Sequence, residues 1–101
     1  MNQLCPLCDR AATYRLVQHE PGGKLFTCPS CTEFFIDEHS EAHLAGLATG
    51  FREPHRKDLQ RRAKACGPAG LFVMRAPRED EVHGSGHGIA REEMIAGCFS
   101  R

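Results

Sequence analysis

The sequence predicts a small α+β protein, in which a three-stranded antiparallel sheet is followed by two helices and a short tail with a strand and a helix. Three observations predict this class. Two identical Cys-Pro-x-Cys motifs flank a segment rich in β-forming residues, near-helical spacing of apolar residues begins after Asp37, and a Gly-Pro pair at 67–68 ends the helical region. At 101 residues, the chain has room for one compact domain and none for a large catalytic fold.

The predicted sheet lies in the first third of the chain. Residues 13–18 are rich in β-formers, residues 21–23 have the composition of a turn, and residues 24–27 return as the second strand. Residues 33–36 are the expected third strand. The apolar side chains of this region are too few to stabilise it by burial alone, so a further source of folding free energy is expected.

Four of the six cysteines occur in the two Cys-Pro-x-Cys motifs, at residues 5–8 and 28–31. Each motif directs two sulfurs to the same side of a turn, and the 19 residues between the motifs suffice for a hairpin that brings the turns together. Four thiolates in this arrangement match the tetrahedral coordination that Zn2+ prefers. The predicted ligands of one structural Zn2+ are Cys5, Cys8, Cys28 and Cys31. Lys24 and Arg10 lie close in sequence and are expected to offset part of the thiolate charge.

Three other interpretations of these cysteines compete with zinc. A four-thiolate site also holds iron in a rubredoxin-like arrangement. Each motif has the form of a thioredoxin-like redox site, but such sites usually occur once, at the start of a helix, whereas these occur as a pair at strand ends. Disulfides are disfavoured because the N-terminal residues lack the pattern of a signal peptide and cytosolic thiols stay reduced. Zinc is therefore preferred, and iron is left open.

The two motifs and the segment between them resemble the knuckles and hairpin of a zinc ribbon, over residues 4–37. The resemblance implies a three-stranded zinc-ribbon-like sheet and a structural metal, but no single function, because ribbons serve as nucleic-acid binders, protein adaptors and structural clips. Many ribbon knuckles have glycine after the second cysteine, where the turn needs a positive φ. Asp9 and Thr32 occupy those positions here, and because threonine is β-branched we expect the second knuckle to be distorted.

Two helices are predicted after the sheet. Apolar residues at near-helical spacing, with Gly50 at the end, predict the first helix over residues 38–49. Residues 51–54 are expected to be a linker that places Pro54 at or near the first position of the second helix. The second helix is predicted to end at about Cys66.

The tail beyond the second helix has a mixed pattern. Residues 71–74 have the composition of a buried strand, residues 83–88 that of a flexible loop, and residues 89–98 have helical spacing. We therefore expect a strand and a short C-terminal helix. The predicted domain organisation is a zinc-ribbon-like module over residues 1–37 and an extension over residues 38–101, packed as one unit.

Positive charge concentrates on the second predicted helix, although the 13 basic and 13 acidic residues of the chain balance. Residues 41–66 contain six basic and three acidic residues, whereas the segments on either side are net negative. Such a helix is either a solvated outer face or a surface that contacts phosphates or an acidic protein. The predicted contact residues are Arg52, Arg56, Lys57, Arg61 and Lys64. No aromatic side chain interleaves with them, which disfavours recognition of single-stranded nucleic acid.

Two histidine pairs and one cysteine pair lie outside the four-cysteine set; these are His39 with His43, His83 with His87, and Cys66 with Cys98. The first histidine pair lacks an acidic partner that would complete a metal motif, so we expect it on an exposed helix surface. The second pair flanks the glycine-rich loop and matches no phosphate-binding frame. The two cysteines are expected to be small buried apolar residues, because a catalytic thiol needs a positioned histidine and an electropositive setting.

The sequence favours a small structural-zinc protein that is not an enzyme. Four cysteines would close the coordination sphere of zinc, and neither a nucleophile–base arrangement nor a phosphate loop is present. The leading hypothesis is nucleic-acid binding or regulation through weak contacts of the basic helix with the phosphate backbone. The alternative is a module that binds and modulates another protein. No membrane-spanning segment is predicted, and we expect a cytoplasmic protein whose oligomeric state the sequence leaves open.

Overall fold

The fold is built on one six-stranded sheet, in which neighbouring strands follow one another in sequence order. The computed structural model describes residues 1–18, 22–67, 70–78 and 93–100. The strands are β1 (Asn2–Leu4), β2 (Ala11–Val17), β3 (Gly23–Cys28), β4 (Thr32–Asp37), β5 (Gly70–Arg75) and β6 (Ile95–Ser100). Two helices, α1 (Glu38–Gly46) and α2 (Thr49–Cys66), connect β4 to β5.

The directions of the strands explain where the helices lie. β1 to β4 pair antiparallel with their neighbours, as β5 and β6 do, but β4 and β5 are parallel, with Phe34 opposite Phe72. Parallel neighbours need a crossover connection, because the chain must return to the end of the sheet from which β4 started. The two helices supply that connection and pack against the sheet.

The core lies between the helices and the face of the sheet that they cover. Along each central strand, alternate side chains point into this layer. The buried residues of this layer include Phe26, Phe34, Ile36, Phe72 and Met74 from the sheet and Leu44, Leu59, Ala63 and Cys66 from the helices. The rings of Phe26 and Phe34 stack with their centroids 5.3 Å apart. Helix α2 is therefore held in place by the same aromatic layer that joins the central strands.

Asp37 connects the sheet to the first helix and to the end of β5. Its Oδ1 accepts a hydrogen bond from the Ser40 backbone N–H at 2.8 Å, which caps α1. Its Oδ2 accepts a second one from the Ala76 N–H at 2.6 Å. The residue is 5% exposed, and a buried carboxylate requires such donors. One side chain thus sets both the start of α1 and the position of the chain after β5.

The three predicted strands are confirmed as β2, β3 and β4, but the sheet extends further on both sides. The first helix ends at Gly46, earlier than predicted. The linker predicted over residues 51–54 is wrong, because α2 begins at Thr49 and contains Pro54 in its interior. The proline removes one helical N–H, and burial of the later turns of α2 in the core offsets that loss.

The tail differs from its prediction at the C-terminus. The strand predicted over residues 71–74 is confirmed within β5, but β6 begins at Ile95 inside the helix predicted over residues 89–98. Pairing with β5 supplies backbone partners that local helical spacing does not reveal. The rest of that helix and the loop predicted over residues 83–88 lie outside the described residues. The sheet takes strands from both sides of residue 37, and the module boundary there stays a prediction.

Candidate metal centre

Four cysteine sulfurs meet at one end of the sheet. The Sγ atoms of Cys5, Cys8, Cys28 and Cys31 all lie within 4.8 Å of one another, and those of Cys8 and Cys28 are 3.5 Å apart. Tetrahedral Zn2+ with bonds of about 2.3 Å requires sulfurs about 3.8 Å apart. Three of these cysteines are buried and Cys8 is half-buried. The structure therefore brings the predicted ligand set together in a geometry that fits a metal ion.

Two hairpin turns position these sulfurs. One cysteine pair lies at the turn between β1 and β2, and the other at the turn between β3 and β4. Because β2 and β3 are antiparallel neighbours, the two turns fall at the same end of the sheet. The antiparallel order of four short strands is thus enough to assemble the cluster.

Both turns use the same backbone conformation after the second cysteine. Asp9 has φ 62° and Thr32 has φ 66°, in the left-handed region where glycine is usual. In the first turn, the Asp9 N–H donates to the Cys5 carbonyl at 2.9 Å, and the Cys5 N–H donates to the Arg10 carbonyl at 2.8 Å. The expected distortion of the second turn is not found. Thr32 adopts the required conformation, and its hydroxyl donates to the Ala63 carbonyl of α2 at 3.5 Å.

Helix α2 passes over the first turn and is bonded to it. Arg56 Nε donates to the carbonyl of Leu7, between the two cysteines of the turn, at 3.2 Å, and Gln60 Nε2 donates to the same carbonyl. Arg56 Nη2 lies 2.9 Å from Asp9 Oδ2, and its Nη1 lies 2.9 Å from Glu53 Oε1. The residue is only 6% exposed, and each of its three guanidinium nitrogens has a protein partner. Arg56 is therefore a connector between α2 and the cluster.

The position of Arg56 also matters for the charge of the cluster. Four thiolates with Zn2+ carry a formal charge of −2, which nearby cations and N–H donors stabilise. Lys24 was expected in that role but lies 3.1 Å from Glu41 instead, and Arg10 is exposed. The cation bonded to a cysteine turn is Arg56. Sequence reasoning missed this role because 49 positions separate Arg56 from Leu7.

Protons are shared unequally among the metal-free thiols. A hydrogen bond from Cys31 lowers the pKa of Cys5 to about 5, against the desolvation that raises it. The same hydrogen bond, together with burial, raises the pKa of Cys31. Burial raises the pKa of Cys8. Cys8 and Cys31 therefore hold protons at neutral pH, and a metal ion must displace them.

The five basic residues predicted as contact residues have different surroundings. Arg56 is buried, and Arg52 is half-buried with its Nε enclosed. The exposed members of the set are Lys57, Arg61 and Lys64. Their spacing places them along one side of α2, although Asp58 pairs with Arg61 on the same surface. Two of the five thus point inward and three face solvent.

Cys66 and Cys98 form a disulfide, with 5.6 Å between their Cα atoms. The prediction of two separate buried apolar residues is therefore wrong. Cys66 is 4% exposed, whereas Cys98 is exposed on β6. The register between β5 and β6 places Cys98 opposite Phe72, on the side of the sheet that faces α2. No local pattern indicates a pair that is 32 positions apart.

The first histidine pair is half-buried rather than exposed. His39 Nε2 lies 2.8 Å from the Glu93 carbonyl oxygen. The ring of His43 packs edge-on against His55, with 6.3 Å between centroids. Within the part of the chain that the structure describes, the four clustered cysteines are the only group of three or more His, Cys, Asp or Glu side chains close enough to hold a metal. The second histidine pair lies outside the described residues.

Comparisons with known proteins do not assign a function to this site, so its assignment rests on the geometry described above. No family model, no curated protein and no solved structure matches the chain. In the described residues, neither helix has the length and apolar character needed to cross a membrane. The four-cysteine cluster is consistent with a zinc-ribbon-like segment. It indicates a small structural metal-binding protein.

Proposed function

We propose that this is a structural-zinc protein, in which Zn2+ holds the two hairpin turns together and takes no part in catalysis. The observation that supports it is the donor set: four thiols, three of them buried, whose sulfurs all lie within 4.8 Å of one another. Four thiolates complete the coordination of Zn2+ and leave no position for a substrate or an activated water. The protein is accordingly proposed to be a binding protein and not an enzyme.

Helix α2 is the element through which the metal would act on the rest of the molecule. Arg56 and Gln60 bond to the carbonyl of Leu7 in the first turn, and the Ala63 carbonyl accepts from Thr32 in the second. A metal ion that fixes both turns would therefore fix the surface on which α2 rests. In this proposal, zinc controls how the outer side of α2 is presented to a partner.

Metal analysis of the purified protein tests the zinc assignment. Native mass spectrometry of protein prepared without added metal should show one Zn2+ per chain. Cys28→Ser should lose the ion, and Cys66→Ser, which changes a cysteine outside the cluster, should retain it. Iron in place of zinc, or one equivalent of zinc retained by Cys28→Ser, would contradict the assignment.

We further propose that the exposed side of α2 binds nucleic acid weakly, through the phosphate backbone. The residues that support this are Lys57, Arg61 and Lys64, which lie on one side of the helix and are exposed. Arg52 and Arg56 are left out, because one is half-buried and the other is engaged with the first turn. Three phosphate contacts correspond to a slope of about −2 to −3 in log K against log salt concentration. Such contacts carry no base readout, so binding should be independent of sequence.

Charge reversal tests this surface. Arg61→Glu with Lys64→Glu should weaken binding to a DNA or RNA duplex at least tenfold and flatten the salt dependence. Arg15→Glu is the matched control, because Arg15 is an exposed cation on β2, far along the chain from α2. Equal affinities for the double variant, the control and the unmodified protein would rule out nucleic-acid binding through α2.

A protein partner is the second candidate, and the pairing of Asp58 with Arg61 favours it. A mixed surface of this kind is less suited to phosphates than to a protein with both charges. Recovery of one stoichiometric protein from a nuclease-treated extract, lost with Arg61→Glu, would support this candidate over the first. For both candidates we propose a cytoplasmic location, which cell fractionation tests directly.

A further inference from the structure

The cysteine pair Cys66 and Cys98 is chemically separate from the metal ligands. Its disulfide joins the last residue of α2 to the edge strand β6. The sequence separation of 32 means that the bond closes a loop over residues 67–97. The other four cysteines are free thiols. The molecule therefore holds one oxidised pair and one reduced cluster at the same time.

Apart from the disulfide, strand β6 is held in the described residues mainly by its ladder with β5, while Ala96 packs only half-buried against the core. The strand pairs with β5 on one side only. None of its side chains from Ile95 to Phe99 is fully buried, whereas β5 buries alternate side chains. Arg62 adds one hydrogen bond, from its Nη2 to the Ala96 carbonyl at 2.7 Å. A strand with so little buried apolar area opens at a small free-energy cost unless a covalent link holds it.

The two sulfurs of the disulfide differ in accessibility. Cys66 is 4% exposed, at the buried end of α2, whereas Cys98 is exposed. An external thiolate therefore reaches Cys98 Sγ more easily than Cys66 Sγ.

We infer that the Cys66–Cys98 pair is a reversible redox site that exchanges with dithiols. One thiolate of the dithiol attacks Cys98 Sγ, the bond between the two cysteines breaks, and Cys66 leaves as a thiolate that takes up a proton. The second thiol of the dithiol then attacks the mixed disulfide. This step forms a disulfide within the dithiol and releases Cys98 as a thiolate, which takes up the second proton. Two electrons and two protons pass to the pair, and the dithiol is oxidised.

Reduction releases β6 from α2 and leaves the metal ligands untouched. In the described residues, the contacts that remain include the backbone ladder with β5, the packing of half-buried Ala96 against the core and the hydrogen bond from Arg62. Opening the covalent loop restores chain entropy to the non-native states of this segment, so the edge strand detaches more often. β2, β3 and β4 contain none of these contacts and keep their structure. This inference is independent of the proposed zinc and of the proposed partners.

Hydrogen exchange of the 101-residue chain, with one equivalent of ZnCl2 present, tests the inference with dithiothreitol as the dithiol. Reduction without denaturant should accelerate amide exchange in residues 95–100 at least tenfold and leave β2 to β4 unchanged. Cys66→Ser with Cys98→Ser is the control variant. It should show the fast exchange without dithiothreitol and no further response to it, and native mass spectrometry should show the same metal content as in the oxidised protein.

Three results would overturn the inference. The first is a disulfide that resists dithiothreitol in the folded protein. The second is exchange in β6 that is the same in the oxidised, reduced and doubly substituted forms. The third is protein purified in air in which alkylation finds free thiols at both positions. Loss of the metal from the double variant would overturn the separation of the two cysteine sets.

Discussion

Two links built from cysteines hold this molecule together, and they are made in different ways. In the N-terminal half, two short turns gather four sulfurs within 4.8 Å. In the C-terminal half, the bond between Cys66 and Cys98 spans 32 positions and depends on the register between β5 and β6. The first link is local in sequence and, in the function proposed above, is made by a bound metal ion. The second is remote in sequence and needs an oxidant.

Because the two links differ in chemistry, the cluster and the disulfide can be perturbed separately. Chelators and protons act on the four-cysteine cluster, because a metal ligand must be deprotonated. Thiols act on the disulfide. Helix α2 contacts both links, with Arg56 at the first turn and Cys66 at the bond to β6. The first three predictions below change one link and keep the other as the reference, and the last changes the turns that hold the cluster.

Loss of the metal link should have the largest effect. Cys28→Ser, or treatment with a chelator, is expected to unfold residues 4–36, because metal binding supplies much of the folding free energy of this region. Circular dichroism and hydrogen exchange of β2 to β4 measure the loss. Cys66→Ser should leave these strands protected. If Cys28→Ser kept them protected as well, burial of the shared aromatic layer would be holding the region without the metal.

Loss of the disulfide should have a smaller effect. Replacing both Cys66 and Cys98 with serine is expected to lower the free energy of unfolding by about 3.7 kcal/mol, from the loop entropy that the bond removes from the unfolded chain. Urea denaturation with zinc present measures the difference from the oxidised protein. Equal urea midpoints for the two proteins would show that the bond contributes nothing to the folded state.

Metal affinity should fall as the pH falls. The raised pKa values of Cys8 and Cys31 mean that both thiols are protonated at neutral pH without metal, so binding releases at least two protons. The apparent affinity for Zn2+ should therefore change by at least two decades per pH unit between pH 6 and 8. Below the pKa of Cys5, about 5, a further proton makes the dependence steeper.

Competition with a chromogenic chelator across this pH range measures the slope. The double serine variant at positions 66 and 98 is the reference, and it should give the same slope, because neither residue belongs to the cluster. A slope near zero would mean that the ligands are already deprotonated at neutral pH.

The smallest effects should come from the left-handed residues of the two turns. Thr32→Gly is expected to stabilise the protein by less than about 0.5 kcal/mol, because relief of the strain of a β-branched residue at φ 66° is partly offset by loss of the 3.5 Å hydrogen bond to the Ala63 carbonyl. Asp9→Gly should destabilise it by about 0.5–1 kcal/mol, because it removes the ion pair with Arg56. Thermal unfolding of the zinc-loaded variants measures both. Shifts of the same sign would show that strain, and not the ion pair, dominates at both turns.

Part of the fold was predictable because it rests on local patterns. Strands β2 to β4 and the four clustered cysteines follow from β-forming composition, turn residues and the C-x-x-C spacing, and all are found. The predicted start of α2 is wrong. Pro54 locally indicates the beginning of a helix, but burial of the later turns stabilises a helix that already begins at Thr49. The predicted exposure of His39 and His43 was wrong for a related reason, since Glu93 and His55 approach from remote segments.

By itself, the sequence determined the metal end of the molecule, because two turns with sulfurs three residues apart need only one antiparallel pairing to meet. The position of α2 and the pairing of β6 were decided by the tertiary structure alone. The parallel pairing of β4 with β5 placed α2 across the first turn, which buried Arg56 beside Leu7. The addition of β6 turned a helical pattern into an edge strand and brought Cys98 to Cys66. These contacts join residues tens of positions apart, and their energies depend on which surfaces meet, which no local pattern contains.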